Sequence, residues 1–399
     1  MHVLLRSKPV SVHYNPFERE FYVDPRSVYR RLRDEDPVHW AEACNMWALS
    51  RYEDVRGALQ NWRLFSNEAG SGSSGTAGEL FKDYPHLLMF DPPRHTDLRK
   101  VLATLITPDR MLSLKDKAHA RVSDLLTPLQ DVDSFDITRD FAEHLPPMII
   151  ADLLGVPSEH VPLLMRAVDK LADYNQPDIV TATKEAICEL RDFYVAFFKE
   201  RRKRPPGDDI VWRLLEATDS GLLAENETVG FAILVTIAGG ETTTKMIGNM
   251  AKLLVQHPDQ RQMLVEAPNL IKSAVEESLR YDGSTQMLTR TLTEDCTLHG
   301  VSMRAGDTVA MIFNAANNDE RKFKDPDVYD VTRNLMGQHL AFGGGVHACI
   351  GAPLARLELI VAFQELLQRW PEFGLDLENA ERHFNPYVSG FRRLRLTTH

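Results

Sequence analysis

The 399-residue sequence predicts a mainly α-helical fold with a small β region, and three observations carry that prediction. From Pro108 to Arg204 apolar residues recur almost throughout at helical spacing, interrupted by Leu154-Gly155-Val156-Pro157 and by Gln176 to Asp178. Glu225 to His257 reads as one long apolar helix. Stretches of strand character are few and short: His39 to Ser50 as a strand pair, Cys296 to Val301, and Asp307 to Phe313.

Taken in order, Met1 to Pro16 has no long apolar run, so neither a secretory signal nor a membrane anchor is expected there. Pro25 to Asp36 and Tyr52 to Gln60 interleave charged and apolar residues at helical spacing and flank the strand pair. Glu68 to Glu79 is rich in glycine and serine and lacks the Gly-Lys-Ser/Thr ending of a phosphate loop, which predicts a flexible connection. Asp91 to Arg99 forms a turn and a helix start. His95 and Arg99, four apart, share a face and can reach one anion, although on spacing alone an exposed pair on a solvated face is the better account. The basic run Lys199 to Arg204 closes a helical segment, where cations suit the negative helix end.

Composition narrows the function. Lys and Arg total 46 against 57 Asp and Glu, and the net charge of −11 argues against a nucleic-acid or anionic-membrane binder. Cys44, Cys188, Cys296 and Cys349 lie far apart with no Cys-x-x-Cys pair, which fits a reducing cytoplasm and no disulfide or zinc framework.

Two stretches ask for chemistry. Phe342 to Gly351 reads Phe-Gly-Gly-Gly-Val-His-Ala-Cys-Ile-Gly, with three glycines that admit positive φ and close approach to a flat ligand. Cys349 stands where a helix begins, because Ile350, Leu354, Leu357 and Val361 recur at helical spacing and Pro353 suits a first turn. Spare N–H groups and the helix dipole there are expected to lower the thiol pKa and favour a metal-bound thiolate. In the long helix, Ala238-Gly239-Gly240-Glu241-Thr242-Thr243 places paired glycines, an acid and two hydroxyls in an apolar run. Such glycines cost about 1 kcal/mol each against alanine. A local kink beside a ligand or a close helix contact accounts for them, and only the first also accounts for the acid.

The first stretch resembles the haem-binding loop of cytochrome P450, Phe-Gly-x-Gly-x-His-x-Cys-x-Gly, at all six fixed positions: Phe342, Gly343, Gly345, His347, Cys349 and Gly351. The second resembles that family's oxygen-activation motif, and Leu154 to Pro157 is similar to soluble bacterial members. Family motifs run in the expected order from Pro92 to the C-terminus, so residues 1–399 are expected to form one haem-thiolate domain of the cytochrome P450 fold. The resemblance implies haem b with Cys349 as axial ligand, His95, Arg99 and Arg290 on the propionates, and His347 near one of them. It implies Ala238 and Gly239 facing the haem, Glu241 relaying protons, and Thr242 holding a water beside dioxygen. Glu277, Arg280 and Arg333 match the family's structural Glu-x-x-Arg and arginine cluster. Substrate would meet Leu88, Val235, Ala238, Gly239, Met287 and Val388, a mainly apolar set that suggests a hydrophobic molecule.

The implied activity is monooxygenation, hydroxylation or epoxidation of a hydrophobic small molecule with dioxygen, in a cytoplasmic protein that binds neither nucleic acid nor membrane. The chain holds no flavin or iron–sulfur region, so electrons are expected from a ferredoxin or flavodoxin with its NAD(P)H-dependent reductase, docking near Lys100 and Arg356. A haem-thiolate enzyme of another type, coupling or peroxide-driven oxidation, shares both motifs. A non-catalytic gas binder needs the cysteine loop but neither Glu241 nor Thr242.

Overall fold

The computed structural model describes residues 12–22, 24–69, 81–103, 106–172, 174 and 178–398. The glycine-rich connection therefore falls, from residue 70 on, outside the described residues, as do residues 1–11 and the interruption at 176–177. Helices dominate. They are α1 (Pro25–Glu35), α2 (Tyr52–Gln60), α3 (Arg94–Ala103), α4 (Pro108–Leu126), α5 (Leu145–Leu154), α6 (Val161–Ala172), α7 (Ile179–Arg201), α8 (Ile210–Asp219), α9 (Glu225–Gln256), α10 (Pro258–Glu266), α11 (Ile271–Asp282), α12 (Phe313–Asn317) and α13 (Ala352–Arg369).

The helix ends follow local chemistry. Asp24, Thr107, Asp178 and Asp209 cap α1, α4, α7 and α8 by accepting backbone N–H bonds. Gly155 ends α5 with φ +73°, and a Cβ there would lie 2.7 Å from the Asp209 side chain.

At about 48 Å, α9 is the axis of the helical region. It packs against α5, α6, α7, α8, α11 and α13, within one large cluster that includes Phe141, Ile150, Phe231, Met246, Leu254 and Phe363. The widening or kink expected at Gly239-Gly240 is not seen as a break: α9 is α-helical from Glu225 to Gln256.

The β region is small but joins distant parts of the chain. Strands β1 (Val38–Ala41), β2 (Met46–Leu49), β3 (Phe65–Ser66), β5 (Met287–Leu292) and β8 (Thr308–Ile312) form a sheet in the order β1-β2-β8-β5-β3. Only β2 and β8 run parallel in it. A second sheet, β4-β10-β9, joins β4 (Ser134–Asp136) to β9 (Gly374–Arg382) and β10 (Phe391–Thr397), while β6 (Cys296–Leu298) pairs with β7 (Val301–Met303). Strand β4 interrupts the expected helical run because its partner lies some 260 residues away at the C-terminus. The short helix α12 follows β8 directly and ends at Asn317.

Candidate active site around Cys349

The cysteine loop folds back on itself. Cys349 N–H donates to the Phe342 carbonyl at 2.9 Å, and Gly343 and Gly345 take φ +67° and +65°. Gly344 is extended, as any residue can be. A Cβ on Gly345 would lie 2.2 Å from the Leu59 carbonyl oxygen, so that glycine admits the end of α2 rather than a ligand. Cys349 itself is accessible and precedes α13 by three residues. The expected lowering of its thiol pKa is reversed: surrounding protein desolvates the sulfur and raises it. Hydrogen bonds from the Gly351 and Ala352 backbone and the charges of Arg99 and Arg356 oppose that rise without overcoming it.

Around this loop the structure gathers His95, Arg99, Arg290 and His347. His95, on the first turn of α3, is 1% exposed and neither ring nitrogen has a hydrogen-bond partner. Burial, then His347 and Arg99, push its pKa down to about 4. Its ring lies 4.1 Å from that of His347, whose Nδ1 is also unpartnered. Arg290 on β5 is 5% exposed, and burial lowers its pKa to about 10 while Asp91 opposes the shift. Among the described residues neither Arg290 nor Arg99 has an ion-pair partner; Arg99 donates to the Ala348 carbonyl at 2.7 Å and Arg290 to that of Thr289.

Buried cations and orphaned imidazole nitrogens are costly unless something anionic satisfies them. The one carboxylate here, Asp91, is already shared among Ser66, Asn67 and His347. Sequence reasoning passed over Asp91 as part of a turn. Although burial pushes its carboxyl up, those donors hold it below the usual range.

Behind the loop two ion clusters brace it. Arg280 and Glu277 on α11, both fully buried, make two 2.8 Å bonds, and Arg333 Nε lies 3.4 Å from the same carboxylate. The second cluster was not foreseen. Glu276 takes two bonds from Arg356, at 2.6 and 2.9 Å, and one from His339 at 3.0 Å. Burial opposes ionisation, yet these partners bring Glu276 down to about 2. Arg356, expected to face a redox partner, is thus committed to Glu276 and to the Phe342 ring 4.5 Å away. Lys100 does lie on the surface, beside Asp97.

On α9 the partly accessible residues Leu234, Val235, Ala238 and Thr242 form one stripe in a helix otherwise packed on several sides. Ala238 is exposed, and Thr242 Oγ1 donates to its carbonyl at 3.3 Å. Gly239, expected to face the haem and substrate, instead receives Ile150 of α5: a Cβ would lie 2.2 Å from its Cδ1. The helix-contact account of that glycine is the one the packing supports. Glu241 lines a cavity of about 200 Å³ with Glu143, Arg166, Asp169 and Lys245. Burial raises its pKa to about 7, Lys245 working against that and Asp169 with it.

The other expected wall residues divide. Leu88 and Val388 are partly accessible, and Val388 forms a bridge with Thr285. Met287 is 1% exposed and packs in a separate cluster, with Tyr14 Oη 3.6 Å from its sulfur. Strand alternation explains the miss: Leu288, not Met287, shares the face of Arg290.

Comparison with known proteins decides the family. The profile described as Cytochrome P450 matches residues 37–382. The chain belongs to the cytochrome P450 family. A putative cytochrome P450 123 of Mycobacterium tuberculosis is 33% identical, over 96% of each chain. A vitamin D(3) 25-hydroxylase of Pseudonocardia autotrophica is 35% identical, over 96% of this chain and 95% of that one. The crystal structure of a Bacillus megaterium P450, CYP109E1, with testosterone superposes with a TM-score of 0.86 at 31% identity, covering 96% of this chain and 100% of that one.

The protein is accordingly a P450 monooxygenase, an oxidoreductase whose cofactor is haem b. The residues fit that group: a thiol with two backbone donors, and beside it a cluster of two histidines and two arginines in which His95 and Arg290 are buried. No group of three or more His, Cys, Asp or Glu among the described residues is placed to hold a metal ion. No helix among them is long and apolar enough to cross a membrane.

Proposed function

We propose that this P450 inserts one atom of dioxygen into a hydrophobic small molecule, by hydroxylation or epoxidation, with electrons from an external ferredoxin or flavodoxin and its reductase. The bound haem supplies the oxygen-activating iron. In this reading Cys349 would hold the haem iron through its thiolate, with the Gly351 and Ala352 N–H groups supporting the sulfur. Arg99 and Arg290 would neutralise the propionates, relieving the unpaired charge described above, and the neutral His95 and His347 rings would hydrogen-bond to them. Thr242 orients a water, and Glu241, with a pKa of about 7, gives up and regains a proton near neutrality, as a general acid should. Leu88, Val235, Ala238, Leu288 and Val388 provide the apolar walls. The relatives named for vitamin D(3) hydroxylation and crystallised with testosterone support a lipophilic substrate.

The observation that carries the proposal is the meeting of the accessible Cys349 thiol with the unpartnered His95 and the unpaired Arg290 and Arg99. Its test is the carbon monoxide difference spectrum of the dithionite-reduced protein and of Cys349→Ser. The expected result is a Soret band at the red-shifted thiolate position that disappears in the variant. A band of the histidine-ligand kind in folded protein, or one that survives the substitution, refutes the ligand assignment.

A further inference from the structure

The C-terminal loop that carries Val388 is fastened to α9 along a single stripe of residues spaced four apart. Asn385 Nδ2 donates to Glu241 Oε1 at 3.4 Å. Gly390 lies so close to Lys245 that a Cβ on it would be 2.4 Å from Lys245 Cβ. Asn249 Nδ2 donates to the Ser389 carbonyl at 3.2 Å. Residues 241, 245 and 249 thus hold residues 385, 390 and 389.

Asn385 does two jobs within this strap. It is 4% exposed, and its Oδ1 accepts the Tyr387 and Val388 N–H groups at 2.9 and 3.1 Å, which folds the tip on which Val388 stands. Its amide nitrogen, on the opposite side of the same planar group, reaches the Glu241 carboxyl. One rigid amide therefore spans the loop tip and the acid. We infer that Asn385 is a positioning residue that ties the substrate-facing loop at Val388 to Glu241, so that displacement of the loop is felt at the acid. This rests on the proposed proton-relay role of Glu241 only for its catalytic consequence; the mechanical and electrostatic link stands on the geometry alone.

Other groups also face Glu241. Lys245 lies one turn along α9, Asp169 on α6, and Tyr174 beyond α6, with its ring 6.0 Å from that of Tyr387. Glu143 and Arg166 line the same cavity. Lys245 favours the Glu241 carboxylate and Asp169 disfavours it. The Asn385 amide adds a donor, which also favours the carboxylate.

Two variants separate the two halves of Asn385. Asn385→Asp keeps the oxygen that folds the tip but replaces the donor facing Glu241 with a like charge. Asn385→Ala removes both. The Glu241 titration is read by infrared carboxyl difference spectra against Glu241→Gln in each background, and the loop by hydrogen exchange at Tyr387 and Val388.

In Asn385→Asp the two amides are expected to stay protected while Glu241 titrates roughly one pH unit higher. In Asn385→Ala protection at both amides is expected to fall by about tenfold or more, with an upward shift of the titration as well. An unchanged Glu241 titration in Asn385→Asp, or unchanged protection in Asn385→Ala, overturns the link. Product formed per NAD(P)H, measured beside these, addresses Glu241 separately: shifted titrations with unchanged yield leave the link intact and refute the relay role.

Discussion

Arg280→Ala is expected to be among the most damaging single substitutions in the chain, and its cost can be built from contacts. The guanidinium makes two 2.8 Å bonds to Glu277 and further bonds to the Asn317, Pro326 and Val328 carbonyls and to Asn318 Oδ1. Truncation leaves the fully buried Glu277 with only the Asp330 N–H at 3.0 Å and Arg333 at 3.4 Å. Breaking a buried pair at one end costs about 3–5 kcal/mol. Several stranded carbonyls add about 1 kcal/mol or more. A total near 5 kcal/mol consumes much of the roughly 5–15 kcal/mol typical of a folded protein.

Urea unfolding followed by circular dichroism measures it, with Glu277→Gln/Arg280→Met alongside. The double variant removes the stranded charge and should recover about 2 kcal/mol relative to Arg280→Ala; if the single variant yields no folded protein, recovery of fold in the double is the readout. A loss below about 1.5 kcal/mol in Arg280→Ala, or a double variant no better than the single, refutes the claim that the weakened compensation of the buried Glu277 charge is the cause.

Gly345→Ala meets both a positive φ and the Leu59 carbonyl at 2.2 Å, whereas Gly343→Ala meets a positive φ in open space. Gly345→Ala should therefore be the less stable of the two by about 2 kcal/mol in the same unfolding assay, and equal losses would contradict the close approach to α2. Glu241→Gln should change the pH dependence of stability. The Glu241 pKa of about 7 in the folded protein lies above the value of about 4.3 expected for an unfolded chain. The folded state thus keeps a proton that the unfolded state releases, and this contribution is full below pH ~4.3 and lost as pH rises through ~7. The wild type should lose on the order of 2–3 kcal/mol across that window relative to Glu241→Gln; parallel profiles would show that Glu241 titrates normally.

The parts of the site legible in sequence were those where backbone and chemistry are both local. The cysteine loop and the acid and alcohol of α9 sit in short patterns whose spacing carries the geometry, whereas the Glu277-Arg280 pair stands out only through the family motif. Arg290 and His95 needed the family resemblance, because nothing in their spacing says that they converge. What stayed hidden depends on side chains meeting across long separations. Gly239 looked like a ligand contact until Ile150 filled its place. Met287 and Leu288 differ only in strand parity, which is set by pairing with β8. Arg356 looked free until Glu276, 80 residues earlier, claimed it. Asp91 reads as a turn residue because it does stand in one, and its partner His347 is 256 residues away; the contact of Asn385 with Glu241 spans 144.

The strand order β1-β2-β8-β5-β3 also fixes when the protein can be completed during its own synthesis. The strands between Val38 and Ser66 emerge first, but β5 and β8 follow only after Met287, a delay of roughly ten to forty seconds at ordinary rates of translation. Leu59 waits longer still for Gly345. Until then the hairpin Val38–Leu49 offers two open edges, of which β8 later closes the one on β2, and an uncovered apolar face. The α9 bundle can assemble meanwhile, but the cluster around Cys349 draws on residues 91 to 349 and closes only after residue 349 has emerged.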